Sequence, residues 1–224
     1  MQWVMPQRCV FCTLDMPPAD GCICRDCFAD LPWQQASCAR CARPLPRPPA
    51  DGVDCATCQL RPPAFSRTVA PLEYRFPIDA AIKAFKFHRR LFYARAFAQI
   101  LRPALESLPP GIDAVLPVPL HWFRRTRRGF NQSRELAIPM AKALGVPMLW
   151  SVRRRIATPY QSSSTRAERR KNLREAFEVR RSIDARHVLI VDDVITTGET
   201  CEQLAKVLLA AGVEKVSVLA LARA

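Results

Sequence analysis

The sequence predicts an α/β fold, in which a parallel sheet carries helices on both faces and follows a small metal-stapled head. From Arg67 onward, apolar strand patterns alternate with amphipathic helix patterns, as in strands joined by helical crossovers. Before that point, nine of the ten cysteines fall within the first 58 residues, and the prolines of residues 43–49 exclude a helix there. A head with so few aliphatic residues needs further stabilisation, such as a bound metal ion, for which the cysteines can supply the ligands.

Composition and length set the domain organisation. The 224 residues, 49% of them hydrophobic, are enough for one or two globular domains. The change in pattern predicts two, a double metal ribbon at 1–62 and an α/β domain at 63–224. No apolar run approaches the ~18 residues of a membrane span, and the first residues lack a secretory apolar segment. We therefore expect a cytoplasmic protein without membrane insertion.

Each predicted element of the second domain follows from a local pattern. Apolar runs bounded by turn residues predict strands, and apolar positions three and four residues apart predict helices. A polar, basic and serine-rich stretch at 155–175 predicts a long loop that could close over a site. The predicted strands are 67–74, 113–119, 187–191 and 216–221, and the predicted helices are 78–87, 91–106, 131–144 and 199–211.

Four C-x-x-C pairs dominate the head. One tight turn can direct both thiolates of such a pair at a single ion, and eight cysteines complete two tetrahedral four-thiolate zinc sites. Sequential pairing along the chain is the simplest arrangement, and interleaved pairing remains open. Four thiolates leave no open coordination position, so both zinc ions are expected to be structural. The pairs are Cys9 and Cys12, Cys24 and Cys27, Cys38 and Cys41, and Cys55 and Cys58.

Residues 188–200 read V-L-I-V-D-D-V-I-T-T-G-E-T, a buried strand followed by two acids and a threonine-glycine turn. At the carboxyl end of a parallel strand, Asp192 and Asp193 can accept hydrogen bonds from the vicinal hydroxyls of a ribose. The turn opens a helix, whose first N–H groups lack intrahelical partners and favour an anion. A ribose 5-phosphate fits this combination. If the stretch were an ordinary strand-to-helix turn, helix capping would account for only one of the two acids and one of the threonines.

The same thirteen residues resemble the phosphoribosyl pyrophosphate (PRPP) signature of type I phosphoribosyltransferases. The resemblance implies that Asp192 and Asp193, the candidate catalytic residues, hold the ribose of PRPP. It implies also that the turn binds the 5-phosphate, that residues 117–119 adjoin the pyrophosphate, and that Mg²⁺ accompanies PRPP. The PRPP-binding residues implied in this way are Asp192, Asp193, Thr196, Thr197, Gly198, Thr200, Pro117 and Val118.

Nearly the whole chain resembles the ComF family, which combines a zinc-ribbon head with a type I phosphoribosyltransferase-like fold. The resemblance implies a link to competence and DNA uptake in natural transformation, with PRPP, single-stranded DNA and competence-machinery proteins as partners. One departure is Ser164, where an apolar residue is expected. The motifs that carry the resemblance are the cysteine pairs, P-V-P-L-H (117–121), R-x-G-F-N-Q (127–132), Gln161, R-x-x-R-R-K-N (166–172) and A-F (176–177).

The net charge of +14 is unevenly distributed along the chain. Arginines and aspartates cancel in residues 1–62, whereas residues 121–186 carry a net charge of +12. Arginine suits phosphate oxygens, which makes nucleic acid a plausible partner, although a solvated surface would look the same. The predicted nucleic-acid-binding residues are Arg124, Arg125, Arg127 and Arg128.

Three functions remain compatible with these patterns. The first is a PRPP-binding protein that handles single-stranded DNA. The second is a Mg²⁺-dependent phosphoribosyltransferase of nucleotide metabolism, for which the sequence indicates no acceptor. The third is a PRPP-responsive adaptor that docks through its zinc ribbons. Release of pyrophosphate with a candidate acceptor, or salt-dependent binding of single strands, would distinguish them.

Overall fold

A computed structural model describes most of the chain, except for short segments and one longer stretch in the second domain. The predicted residues Arg124, Arg125 and Arg127, and nearly all of the basic loop at 155–175, lie outside the described part. The described residues are 7–17, 21–48, 53–88, 90–121, 126, 128–155 and 176–224.

The described elements are nine strands, six α-helices and one 3₁₀ helix at Leu105–Ser107. In chain order the strands are β1 Gln7–Arg8, β2 Asp15–Met16, β3 Arg67–Val69, β4 Leu72–Glu73, β5 Ala114–Pro117, β6 Val152–Arg154, β7 Phe177–Val179, β8 His187–Ile195 and β9 Lys215–Arg223. The helices are α1 Arg25–Ala29, α2 Ala56–Leu60, α3 Ile78–His88, α4 Phe92–Ala104, α5 Gln132–Leu144 and α6 Glu199–Ala210. None of the described helices has the length and apolar character of a membrane span.

The main sheet is parallel, as predicted. Its order is β3-β9-β8-β5, and β4 continues the β3 edge by pairing with the end of β9. Every residue of β5 is buried, as are the first five residues of β8 and nearly all of β9. Such continuous apolar strands require cover on both faces of the sheet.

Helices cover both faces and complete the predicted α/β architecture. On one face α3, α4 and α5 pack Phe85, Phe97 and Leu136 against Leu189 of β8. On the other face α6 packs Leu204 and Leu208 against neighbouring strand residues. The acidic pair therefore lies on a central strand that is enclosed from both sides.

All four predicted strands differ from their predicted bounds, although β5 and β9 differ by only one or two residues at each end. β8 continues past the predicted end at residue 191 to Ile195, because β9 runs alongside it to Arg223. The predicted strand at 67–74 divides into β3 and β4, with Ala70 and Pro71 between them. β6 and β7, which had no predicted counterpart, form an antiparallel pair.

Candidate functional site

The eight predicted cysteines form two clusters in the head, with sequential pairing. Within each cluster the sulfur atoms all lie within 4.8 Å of one another. Cys22 belongs to neither cluster, and all ten cysteines are free of disulfide bonds. The first cluster is Cys9, Cys12, Cys24 and Cys27, and the second is Cys38, Cys41, Cys55 and Cys58.

The geometry of both clusters fits zinc. Around a tetrahedral zinc ion with Zn–S bonds of about 2.3 Å, neighbouring sulfurs lie about 3.8 Å apart. The Sγ–Sγ distance is 3.8 Å between Cys12 and Cys24, and 3.7 Å between Cys41 and Cys55. Burial raises the pKa of the Cys41 thiol to about 11, so a bound cation would have to displace its proton.

The two aspartates begin where β8 loses one of its neighbours. Pro117, the last residue of β5, pairs with Val191, and the Val191 carbonyl accepts a 3.0 Å bond from the Val118 N–H. Beyond Val191, β8 continues without β5 beside it. On its other edge β9 still pairs with β8, from Asp192 as far as Ile195. Ligands of open α/β sheets bind at such a carboxyl-end crevice.

Asp192 is held by two hydrogen bonds. Its Oδ1 accepts one from the Ser133 hydroxyl at 2.9 Å and one from the Asp193 backbone N–H at 2.9 Å. Burial and the neighbouring Asp193 carboxylate raise the pKa of Asp192 to about 7. A carboxyl group with this pKa changes between hydrogen-bond donor and pure acceptor near neutral pH.

Asp193 is buried, with 3% of its surface exposed. Its carboxylate forms an ion pair with the ammonium group of Lys86 near the end of α3. Because an isolated buried carboxylate is costly, Lys86 compensates the charge that the second acid introduces. A diol that approaches Asp193 would share this carboxylate with Lys86 or displace it.

The turn after β8 joins the strand to α6 through threonines and a glycine. Gly198 has a φ of 82°, a left-handed conformation that favours glycine, and directly precedes α6. The Thr197 hydroxyl accepts a 3.3 Å bond from the Glu199 N–H. Thr196 and Thr197 are exposed, and Thr200 is half-buried in the first turn of α6. Polar side chains and the positive end of a twelve-residue helix therefore face the solvent together.

Pro117 and Val118 are tied to the same crevice through Asn131. The Asn131 side chain caps α5 by accepting from the Ser133 N–H at 3.0 Å, and its Nδ2 donates to the Val118 carbonyl at 3.0 Å. Since Ser133 also holds Asp192, one cap connects the segment after β5 to the acidic pair.

Of the four predicted DNA-binding arginines, Arg128 is described. Its guanidinium lies over the ring of Phe87, 5.2 Å from the ring centroid. The α3 sequence K-A-F-K-F-H suggests packing roles for both phenylalanines, and this is correct for Phe85, which is fully buried. It is wrong for Phe87, which is 64% exposed.

Sequence reasoning missed three residues of this region. Ser133 and Asn131 lie about sixty residues before the acids, and the helix-cap pattern of Asn131 was the available signal. Arg223 is only 4% exposed and donates to the backbone carbonyls of Ile195 and Thr196, at the start of the turn after β8. Its position at the end of an apolar strand was the available signal, because buried arginines are rare.

Two known protein families match separate parts of the chain. Residues 1–59 match the double zinc ribbon domain, and residues 116–224 match the phosphoribosyl transferase domain. Among solved structures, the allosteric regulatory enzyme of purine biosynthesis aligns with 57% of this chain and 25% of its own, at 23% identity and a TM-score of 0.40.

Two curated relatives cover most of the chain. Competence protein F of Haemophilus influenzae is 34% identical over 174 residues, which are 72% of this chain and 75% of that protein. DNA utilization protein YhgH of Escherichia coli O157:H7 is 32% identical over 230 aligned residues, covering 98% of both chains. The chain therefore belongs to the ComF family of competence protein F and DNA utilization protein YhgH, with a double zinc ribbon and a phosphoribosyltransferase-like domain.

Proposed function

We propose that this protein binds PRPP with Mg²⁺ at the carboxyl end of β8, and handles single-stranded DNA in the cytoplasm. The observation that carries the PRPP proposal is the acidic pair, which lies where β8 extends past the end of β5. Gly198, the residue that precedes α6, follows within five residues. A diol acceptor and a phosphate cradle at this spacing match the two ends of a ribose 5-phosphate.

Magnesium would be held mainly by PRPP itself. Among the described residues, groups of three or more His, Cys, Asp or Glu that could hold a metal ion occur only in the cysteine clusters, so the described part of the crevice has no such group for Mg²⁺. Mg²⁺ commonly binds through substrate phosphates and few carboxylates, and it would neutralise the pyrophosphate. If the protein transfers the ribosyl group to an acceptor, the sequence predicts that the basic segment 155–175, almost all of which lies outside the described residues, closes over the leaving group.

Thermal unfolding with and without PRPP and Mg²⁺ tests the proposal. A ligand that binds only the native state stabilises it by about 2.7 kcal/mol at a hundredfold excess over Kd. We expect this stabilisation in the wild type and its loss in Asp192→Asn combined with Asp193→Asn. Asp113→Asn is the matched control, because Asp113 accepts backbone hydrogen bonds at the amino end of the same strand. No shift in the wild type at millimolar PRPP would refute the proposal.

A specific contact supports the DNA-handling part. Exposed Phe87, with Arg128 across its ring, lies one residue from the Lys86–Asp193 pair. An exposed aromatic ring beside cations suits an unpaired base and its phosphate. The names of the two relatives point in the same direction, towards competence and DNA utilization.

Single-strand binding as a function of salt tests this second part. Replacing Arg124, Arg125, Arg127 and Arg128 with Gln should flatten the slope of log K against log salt by up to about 3, at about 0.7 for each phosphate contact. Phe87→Ala should weaken binding by about 1–3 kcal/mol with little change in that slope. Phe76→Ala, which changes another exposed phenylalanine, is the control. Full binding by the quadruple variant would place the DNA elsewhere.

A further inference from the structure

The second cysteine cluster is attached to the main sheet through three successive backbone carbonyls. The Ala39 carbonyl accepts a 3.0 Å bond from the Thr68 N–H, and the Arg40 carbonyl accepts a 2.7 Å bond from the Thr68 hydroxyl. The carbonyl of Cys41, itself a cluster residue, accepts a 3.2 Å bond from Nε of Arg223. The Cys38–Cys41 turn is thus bonded to β3 and to the end of β9.

Arg223 continues this connection to the turn after β8. While its Nε donates to Cys41, its Nη1 donates to the Ile195 carbonyl at 3.0 Å and also to the Thr196 carbonyl. A single planar guanidinium therefore joins a cluster residue to the last residue of β8 and to the first residue of the turn at 196–200. Lysine could not reproduce this, because it lacks donors fixed in a planar fork.

The charge of Arg223 indicates why it lies beside the cluster. The side chain is buried, and it donates to backbone oxygens of Cys41, Ile195, Thr196 and Ala224, with no side-chain carboxylate among its described partners. An isolated buried cation is costly. Four thiolates around Zn²⁺ carry a net charge of about −2, so the loaded cluster would place negative charge beside the guanidinium.

We propose that Arg223 is a positioning residue that couples the second zinc cluster to the phosphate turn at 196–200. With zinc bound, the Cys38–Cys41 turn holds the guanidinium, and the guanidinium holds the Ile195 and Thr196 carbonyls so that the following N–H groups face the phosphate. The effect on PRPP rests on the proposed function, whereas the connection between cluster and turn does not.

Two substitutions and one control test the coupling in the full-length, zinc-loaded protein. Arg223→Met removes every hydrogen-bond donor of the side chain. Arg223→Lys keeps the positive charge, but one ammonium group can bond either to Cys41 or to the 195–196 carbonyls, and not to both. Arg43→Met is the matched control, because Arg43 is an exposed arginine beside the same cluster that donates to Thr57 within the head. All variants are compared at a temperature at which circular dichroism shows them folded.

Hydrogen–deuterium exchange of the 194–200 amides is the measurement that does not need PRPP. We expect exchange at least tenfold faster in Arg223→Met, an intermediate rate in Arg223→Lys and the wild-type rate in Arg43→Met. If Arg223→Met is unfolded at all temperatures, Arg223→Lys carries the comparison. Removing zinc from the wild type with a chelator should accelerate exchange in the same segment. Wild-type exchange in both Arg223 variants would overturn the proposal, as would equal acceleration in Arg43→Met.

PRPP affinity and zinc release test the two directions of the coupling. By calorimetry, Arg223→Met should weaken PRPP–Mg²⁺ binding at least tenfold while two zinc ions remain bound. Since coupling between sites is reciprocal, PRPP should slow zinc release to a chromogenic chelator in the wild type and not in Arg223→Met. Unchanged PRPP affinity in Arg223→Met would contradict the proposal. If the wild type binds no PRPP, the proposed function fails, and the exchange measurement alone decides the coupling.

Discussion

The two cysteine clusters have the same ligands and the same C-x-x-C spacing but are attached to the protein by different forces. The first cluster is embedded in apolar contacts, because Cys9, Ile23 and Leu31 are buried in the same core as Phe97 of α4. The second buries Ala42 in the other apolar core, and it is attached in addition through backbone hydrogen bonds to Thr68 and Arg223. One ligand motif can therefore serve as a hydrophobic anchor in one place and as a directional connection in another.

Loss of a single cluster should separate these roles, with the largest effect at the first. In Cys24→Ser, exposure of Ile23 and Leu31 should lower the free energy of unfolding of the whole protein by about 3 to 6 kcal/mol. In Cys55→Ser, loss of a few hydrogen bonds should cost only about 1 to 3 kcal/mol. Urea unfolding followed by circular dichroism, with zinc counted in each variant, measures both. Equal losses would show that zinc ligation alone, and not the attachment, sets the stability.

The sequence was sufficient for the features that depend on local spacing. The eight cysteine ligands, the parallel sheet and the helices on both faces follow from short-range patterns, and the structure has all of them. The sequence left open which cysteine pairs share a cluster, and the structure shows sequential pairing. The length of β8 could not be predicted, because it depends on β9, which lies more than twenty residues later in the chain. Arg223 likewise bonds to Cys41, which lies 182 positions before it, and to Ile195, which lies 28 positions before it. No local pattern encodes either contact.

The acidic pair provides a second comparison, because its two carboxyl groups differ in partner. Lys86 neutralises Asp193, whereas Asp192 has hydroxyl and N–H donors and a pKa raised to about 7 by burial and by Asp193. The unfolded chain has an Asp pKa of about 3.9. Between these values the folded state binds more protons than the unfolded state, so stability should fall as pH rises through this window.

Asp192→Asn should remove this pH dependence. Asparagine can still accept the bonds from Ser133 and from the Asp193 N–H, so above pH 7 the unliganded variant should be more stable than the wild type. PRPP affinity should show the opposite trend, rising with pH through about 7 in the wild type as the carboxylate forms, and staying low in the variant. Urea melts and calorimetry at pH 5, 6, 7 and 8 measure the two trends. A wild type and a variant with parallel pH profiles would exclude Asp192 as the titrating group.

The smallest effect on stability is expected from a substitution of Gly21, which lies where the first cluster's segment contacts Gln99 of α4. Gly21 has a φ of 82°, and a Cβ there would lie 2.7 Å from Oε1 of Gln99, the oxygen that accepts the Cys22 N–H. Gly145, at the end of α5, also has a positive φ of 69° but open space around it. Alanine at Gly145 should cost about 1 kcal/mol, the ordinary penalty of a left-handed conformation.

Alanine at Gly21 should cost that penalty and also part of the Gln99 hydrogen bond, a further 0.5 to 1.5 kcal/mol or so. The side chain of Gln99 is flexible and can move aside, which keeps the additional loss small. Combining Gly21→Ala with Gln99→Ala identifies the source, because the alanine should then cost no more than it does at Gly145. If the extra cost persists without Gln99, the turn itself is strained, and the apolar core rather than this hydrogen bond positions the first cluster on α4.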